Sequence, residues 1–137
     1  MMSNEIIKQH ENSFINAFLV AEQQQRFCAL LKSKKGRKKI RDSLSHSIKF
    51  KPQTIRQIPT DKQAADDILK LLIKNQSPTT CYLISEHTSF DEKEMDLNKA
   101  LRVIVGSGIA TIISCIPGKL AYYEGEGFSN RFILKSV

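Results

Sequence analysis

The chain reads as one α+β domain, with about three N-terminal helices followed by a β-α-β-β-β unit. Three observations predict this. Residues 1–76 carry helical apolar spacing, residues 77–137 carry strand-like apolar runs, and no stretch rich in Gly, Pro or Ser separates them. The length of 137 residues fits a single domain, and 41% apolar content is too high for a disordered chain. The expected sheet is mixed, with about four strands and the helices mainly on one face.

The first helical stretch runs from about Ser13 to Ser33, with Phe14, Phe18, Phe27 and Leu31 supplying apolar surface. Its stripe is imperfect around Gln23–Gln25, which admits two shorter helices with a break near Ala21. Gly36 suits a stop after it. A second helix follows from about Arg37 to Ser47, with Ile40, Leu44 and Ile48 as a narrow stripe. Residues 50–59 read as a loop bounded by Pro52 and Pro59. Thr60 and Gln63 have the spacing of a capping box for a third helix, whose apolar face holds Ala65, Ile68, Leu69, Leu72 and Ile73. Ser77-Pro78 ends it.

Residues 79–86 (TTCYLISE) are apolar on both alternating faces, as in an internal strand. The acidic loop 87–95 follows, and Asp96 is placed to cap a helix carrying Leu97, Leu101, Ile104 and Val105. Residues 109–116 form a second two-faced strand. Strand, helix and strand in this order predict a parallel pair with a right-handed crossover. Pro117-Gly118 suits a type II turn into a strand over 119–124, and Gly125 with Gly127 turns the chain into a last strand, 131–135.

Charge is distributed unevenly. The chain has a net charge of +7, made of +8 over residues 1–76 and −1 over residues 77–137. The excess centres on Lys32, Lys34, Lys35, Arg37, Lys38, Lys39 and Arg41. Cations this close repel one another, and an array of phosphates or carboxylates relieves that repulsion. On a helix over 37–47, Arg37, Lys38 and Arg41 should share a face directed away from Ile40 and Leu44. No aromatics interleave with the run, so base stacking is not indicated. A solvated helix face is the plainer alternative.

Two further clusters carry chemistry. Glu86, Asp91, Glu92, Glu94 and Asp96 are acidic, and Asp91, Glu92 and Glu94 are the residues a divalent cation would use, although the spacing lacks the glycine and distal Glu of an EF-hand. With parallel central strands, Glu86, His87, Asp91 and Cys115 would meet at one sheet edge, where a thiolate, an imidazole and a carboxylate make a nucleophile arrangement. Cys28 and Cys81 read as packing residues. Gly106-Ser107-Gly108 follows a helix and precedes a strand, the reverse of a dinucleotide-binding fingerprint, and no cofactor is implied.

The expected function is a small binding or regulatory module, not an enzyme, whose basic helix meets nucleic-acid phosphates or an acidic partner protein. The alternatives are a small enzyme at the sheet edge (Glu86, His87, Asp91, Cys115) and an oligomeric interaction protein with no nucleic-acid role. Residues 1–12 are polar and of mixed charge, unlike a secretory signal, and no apolar run reaches the roughly 20 residues that span a bilayer. With three widely spaced cysteines, the expected location is the cytoplasm.

Overall fold

The structure, a computed structural model, describes residues 3–126 and 130–136. Its helices are α1 (Asn4–Phe18), α2 (Ala21–Leu30), α3 (Lys34–Ser43), α4 (Ala65–Lys74) and α5 (Leu97–Ile104). Its strands are β1 (Ile55–Gln57), β2 (Thr80–Ser85), β3 (Lys93–Asp96), β4 (Thr111–Ile116), β5 (Leu120–Glu124) and β6 (Arg131–Lys135). The class is α+β. The strands form one six-stranded sheet in the order β1-β6-β5-β4-β2-β3, and every neighbouring pair is antiparallel.

Three features of the sheet differ from expectation. Two short strands, β1 and β3, come from the segments read as loops. β2 and β4 are antiparallel, with Tyr82 opposite Ser114 and Ser85 opposite Thr111. The cause is β3, which folds back along β2 and reverses the chain before α5 begins. The crossover through α5 therefore joins β3 to β4, with β2 lying between them. Finally, the helices cover both faces. Phe14, Phe18, Phe27, Ile40 and Leu44 from α1–α3 and the residue after them bury Tyr82, Ile84, Ile112 and Tyr123. Ile68 and Leu72 of α4 and Leu97, Leu101 and Ile104 of α5 bury Cys81, Leu83, Ile113 and Tyr122 on the other side. The period of two along each strand sorts the residues onto these faces, and burial on both explains why β2 and β4 are apolar throughout.

Local chemistry fixes the helix ends. Ser3 caps α1 by accepting from the Ile6 amide, so this helix starts well before Ser13. The chain breaks at Leu19–Val20, next to the expected position. Ser33 Oγ accepts the Gly36 amide at 3.0 Å, which starts α3, so Gly36 lies in a first turn and stops nothing. A Cβ there would sit 2.1 Å from the Leu30 carbonyl oxygen, and only glycine permits this approach of α3 to the end of α2. The Thr60/Gln63 capping box does not form. Thr60–Lys62 is a 3₁₀ turn, α4 starts at Ala65 without a side-chain cap, and Gln63 Nε2 donates back to the Ile58 carbonyl. Asp96 caps α5 as expected, accepting from the Lys99 amide at 3.1 Å.

Two turns set the β4–β5 end of the sheet. Gly118 has φ +68° and the Lys119 amide donates to the Ile116 carbonyl at 2.9 Å. A register shift between Ser114 and Ile116 absorbs the mismatch between this turn and the hairpin. The 106–108 turn is held by Glu124, a buried carboxylate that accepts the Gly106 amide, the Gly108 amide and the Tyr122 hydroxyl. Its amides thus serve the fold. Gly127, expected to turn the chain into the last strand, lies outside the described residues.

Candidate functional site

The basic run divides into two groups. Arg37, Ile40, Arg41 and Leu44 stand at i, i+3, i+4 and i+7, so they share one helix face. That face turns inward. Ile40 and Leu44 enter the core, and Arg37 follows them to 7% exposure. Arg37 and Arg41 therefore do not lie on a face away from Ile40 and Leu44. The apolar side chains fix the roll of α3, and the arginines at the same spacing must go with them.

Carboxylates from two other elements meet Arg37. Its Nη1 donates to Glu11 Oε2 of α1 at 2.6 Å. Its Nε and Nη2 donate to the two oxygens of Asp91, in the loop after β2, at 2.9 and 3.1 Å. Glu92 lies 3.5 Å from Nε, and Arg41 Nη1 lies 3.6 Å from Asp91. Glu11 Oε2 also accepts the Tyr82 hydroxyl at 2.6 Å, and Asp91 Oδ1 accepts the Ser85 amide at 3.0 Å. Beside this network, His10 stacks on Tyr82 and its Nδ1 is 2.7 Å from Ser114 Oγ.

Burial and pairing tune these groups. Burial disfavours the Arg37 charge, but the Asp91 hydrogen bonds and the attraction of Glu11 and Asp91 outweigh it and hold the pKa above that of an ordinary arginine. Burial pushes the Tyr82 phenol up, and its bond to Glu11 pushes it further. Burial lowers the His10 pKa, which favours a neutral ring.

The lysines face outward. Lys32, Lys34, Lys35, Lys38 and Lys39 are exposed around the α2–α3 corner. Lys38 pairs with Asp42 at 3.0 Å across one turn. Among the described residues, Lys32, Lys34, Lys35 and Lys39 make no ion pair. No aromatic side chain of α1–α3 is exposed, since Phe14, Phe18 and Phe27 are all buried.

The sheet-edge constellation is not brought together. Because β4 runs antiparallel to β2, Glu86 and His87 lie at the end where β4 begins, and Cys115 lies at the opposite end. Cys115 is 2% exposed, and burial pushes its thiol up to about 12. Glu86 Oε1 accepts the Ala110 amide at 2.9 Å, and the His87 ring accepts the Ser89 amide at 3.1 Å. Asp91 is committed to Arg37. Asp91, Glu92 and Glu94 do not converge, and among the described residues no group of three or more His, Cys, Asp or Glu is placed to hold a metal ion.

Sequence reasoning missed His10, Glu11, Tyr82 and Ser114. A signal existed for Tyr82, since a tyrosine inside a strand apolar on both faces needs a partner for its hydroxyl. No helix among the described residues is long and apolar enough to cross a membrane. Comparison with known proteins found no matching family model, no similar curated protein and no similar solved structure.

Proposed function

We propose that this chain is a binding module that docks an acidic partner protein through the lysine corner of α2 and α3. One observation carries the reading. Glu11 and Asp91 neutralise Arg37 inside the fold and Asp91 also lies beside the half-buried Arg41, while Lys32, Lys34, Lys35 and Lys39 stay outside without carboxylate partners among the described residues. A cluster of one sign on a rigid helix corner steers an oppositely charged surface toward it.

Two points favour an acidic protein over nucleic acid. Two of the arginines, Arg37 and Arg41, whose forked donors match phosphate, are turned toward Glu11 and Asp91, which leaves Arg26 as the exposed arginine of α2 and α3. The corner also offers no exposed aromatic side chain for base stacking. Cytoplasmic placement belongs to the same proposal and rests on the three free thiols, which suit a reducing compartment.

The test compares the whole chain with the corner variant Lys34→Glu/Lys35→Glu/Lys39→Glu and with the control Lys70→Glu/Lys74→Glu/Lys99→Glu, which reverses as many exposed lysines elsewhere. Binding to labelled polyglutamate and to a labelled DNA duplex is followed by anisotropy across a salt series. The expected result is a loss of about tenfold or more (about 1.4 kcal/mol) for polyglutamate in the corner variant only. Equal losses in both variants would reduce the effect to net charge and end the proposal. Binding to the duplex at least tenfold tighter than to polyglutamate, lost with the same lysines, would replace it with the nucleic-acid reading.

A further inference from the structure

The sheet face under α4 and α5 is not covered to its edge. The strand residues buried by these helices come from β2, β4 and β5, whereas Ile133 of β6 is only half-buried. Past α4 lies a groove of about 490 Å³ over β6 and β1. Ile58 and Ile133 line its floor, Leu71 and Asn75 its wall, and Arg56 and Lys135 its rim. A hollow of about 320 Å³ continues it, sharing Asn75, Lys135 and Ser136 and adding Ile116, Leu120 and Lys119. The result is an open trough with an apolar floor and a cationic rim.

The charge of the trough is one-sided. Arg56, Lys119 and Lys135 line it, and among the described residues no carboxylate does. Arg56 and Lys119 make no ion pair among the described residues, and the Lys135 ammonium donates to a neutral group, Asn75 Oδ1, at 2.8 Å. Gln53 and Gln57 also line it.

We propose that this trough binds an extended peptide segment of another protein, with carboxylate and apolar side chains in alternation. An extended chain sends successive side chains to opposite sides. One set can then fill the floor over Ile133 and Leu120 while the other reaches Arg56, Lys119 and Lys135. The site is independent of the lysine corner. It lies on the other face of the sheet and toward the β1 edge, whereas α3 is tied to the loop beside the β3 edge.

The experiment titrates the full chain into a labelled octapeptide of alternating Glu and Leu, read by anisotropy, with Glu-Ser and Lys-Leu octapeptides as comparisons. The variants are Arg56→Glu/Lys119→Glu in the trough and Lys34→Glu/Lys35→Glu at the corner. The expected result is saturable binding of the Glu-Leu peptide, weakened at least tenfold by the trough variant and less than twofold by the corner variant. A second readout needs no variant, since the methyl resonances of Ile133 and Ile116 should shift on peptide addition. Absence of saturable binding, unshifted methyls, or a larger loss at the corner than at the trough each overturns the proposal. Equal affinity for the Glu-Ser peptide overturns it too, because charge alone would then be the determinant.

Discussion

Replacing Arg37 with Met should be among the most destabilising single changes available in this chain. The substitution keeps an unbranched side chain of similar reach and removes the guanidinium. It strips Glu11 of its 2.6 Å donor and Asp91 of donors at 2.9 and 3.1 Å. Breaking a buried pair on one side costs about 3–5 kcal/mol, because a charge is left buried without its partner. The lower end applies here. Glu11 keeps the Tyr82 hydroxyl, and Asp91 keeps the Ser85 amide and Arg41 at 3.6 Å. With an unfolding entropy of about 2.1 cal/mol/K per residue, a loss of about 3 kcal/mol lowers Tm by about 10 °C in a chain of 137 residues. Calorimetry on Arg37→Met supplies the first measurement. The triple variant Glu11→Gln/Arg37→Met/Asp91→Asn supplies the second. It removes the stranded charges and should return to within about 1 kcal/mol of the parent. A Tm drop under about 3 °C in the single variant, or no recovery in the triple, would refute the reasoning.

Three further outcomes follow from buried groups. Burial lowers the His10 pKa from 6.5, so the unfolded chain takes up this proton more readily than the folded one. The linked stability is present above about pH 6.5 and is lost as pH falls from there through the folded value, at about 1.4 kcal/mol for each unit of depression. Urea titrations should show a shallower acid decline in His10→Phe than in the parent, and an unchanged slope would count against the assignment. Gly36→Ala should cost about 2 kcal/mol or more by chemical denaturation, since its Cβ must displace backbone 2.1 Å away, and a neutral result would mean the α2–α3 turn relaxes freely. Of the three thiols, only Cys28 is partly accessible, so a disulfide reagent should modify one thiol rapidly and reach Cys81 and Cys115 only on unfolding. Rapid reaction of two would contradict the burial.

What could be read in advance was what depends on near neighbours. Asp96 capped α5 because a cap needs only the next three residues. The segments 80–85 and 111–116 were recognisable as strands because burial on both faces leaves an apolar run. Their relative direction was not recognisable. It depends on β3, four residues (KEMD) that hold their place by pairing with β2 and bury almost nothing. Without β3, strand, helix and strand imply a parallel pair, which would bring Cys115 toward Glu86 and His87. The Thr60/Gln63 spacing misled for a related reason, since Gln63 found a buried carbonyl at Ile58 that no local pattern reveals. The inward turn of Arg37 was misread, although a signal for it existed. Its spacing from Ile40, Arg41 and Leu44 is that of a single face, but an arginine stripe resembles a solvated one until Glu11 and Asp91 arrive from positions 26 and 54 residues away.

The choice of arginine at position 37 and lysine around it links the interior to the proposed surface. A guanidinium reaches two carboxylates from different elements through separate N–H groups in one plane, whereas an ammonium is a single point of charge. Only the former can engage Glu11 of α1 and both oxygens of Asp91 at once. Because Arg37 is bound on both sides, it reinforces the roll that Ile40 and Leu44 set for α3, and Lys34, Lys35 and Lys39 are turned outward. Arg37→Lys separates the two roles, since it keeps the charge and gives up the paired contact with Asp91. Losing one charge-assisted hydrogen bond costs about 1.5–3 kcal/mol, so the variant should be less damaged than Arg37→Met. Amide exchange in α3 should nevertheless quicken, as the helix is then held less firmly against the loop after β2. If the lysine corner works through its fixed orientation, polyglutamate binding should weaken in this variant although no surface charge has changed. Faster exchange with undiminished binding would show that the corner acts by charge density alone and that Arg37 serves only the fold.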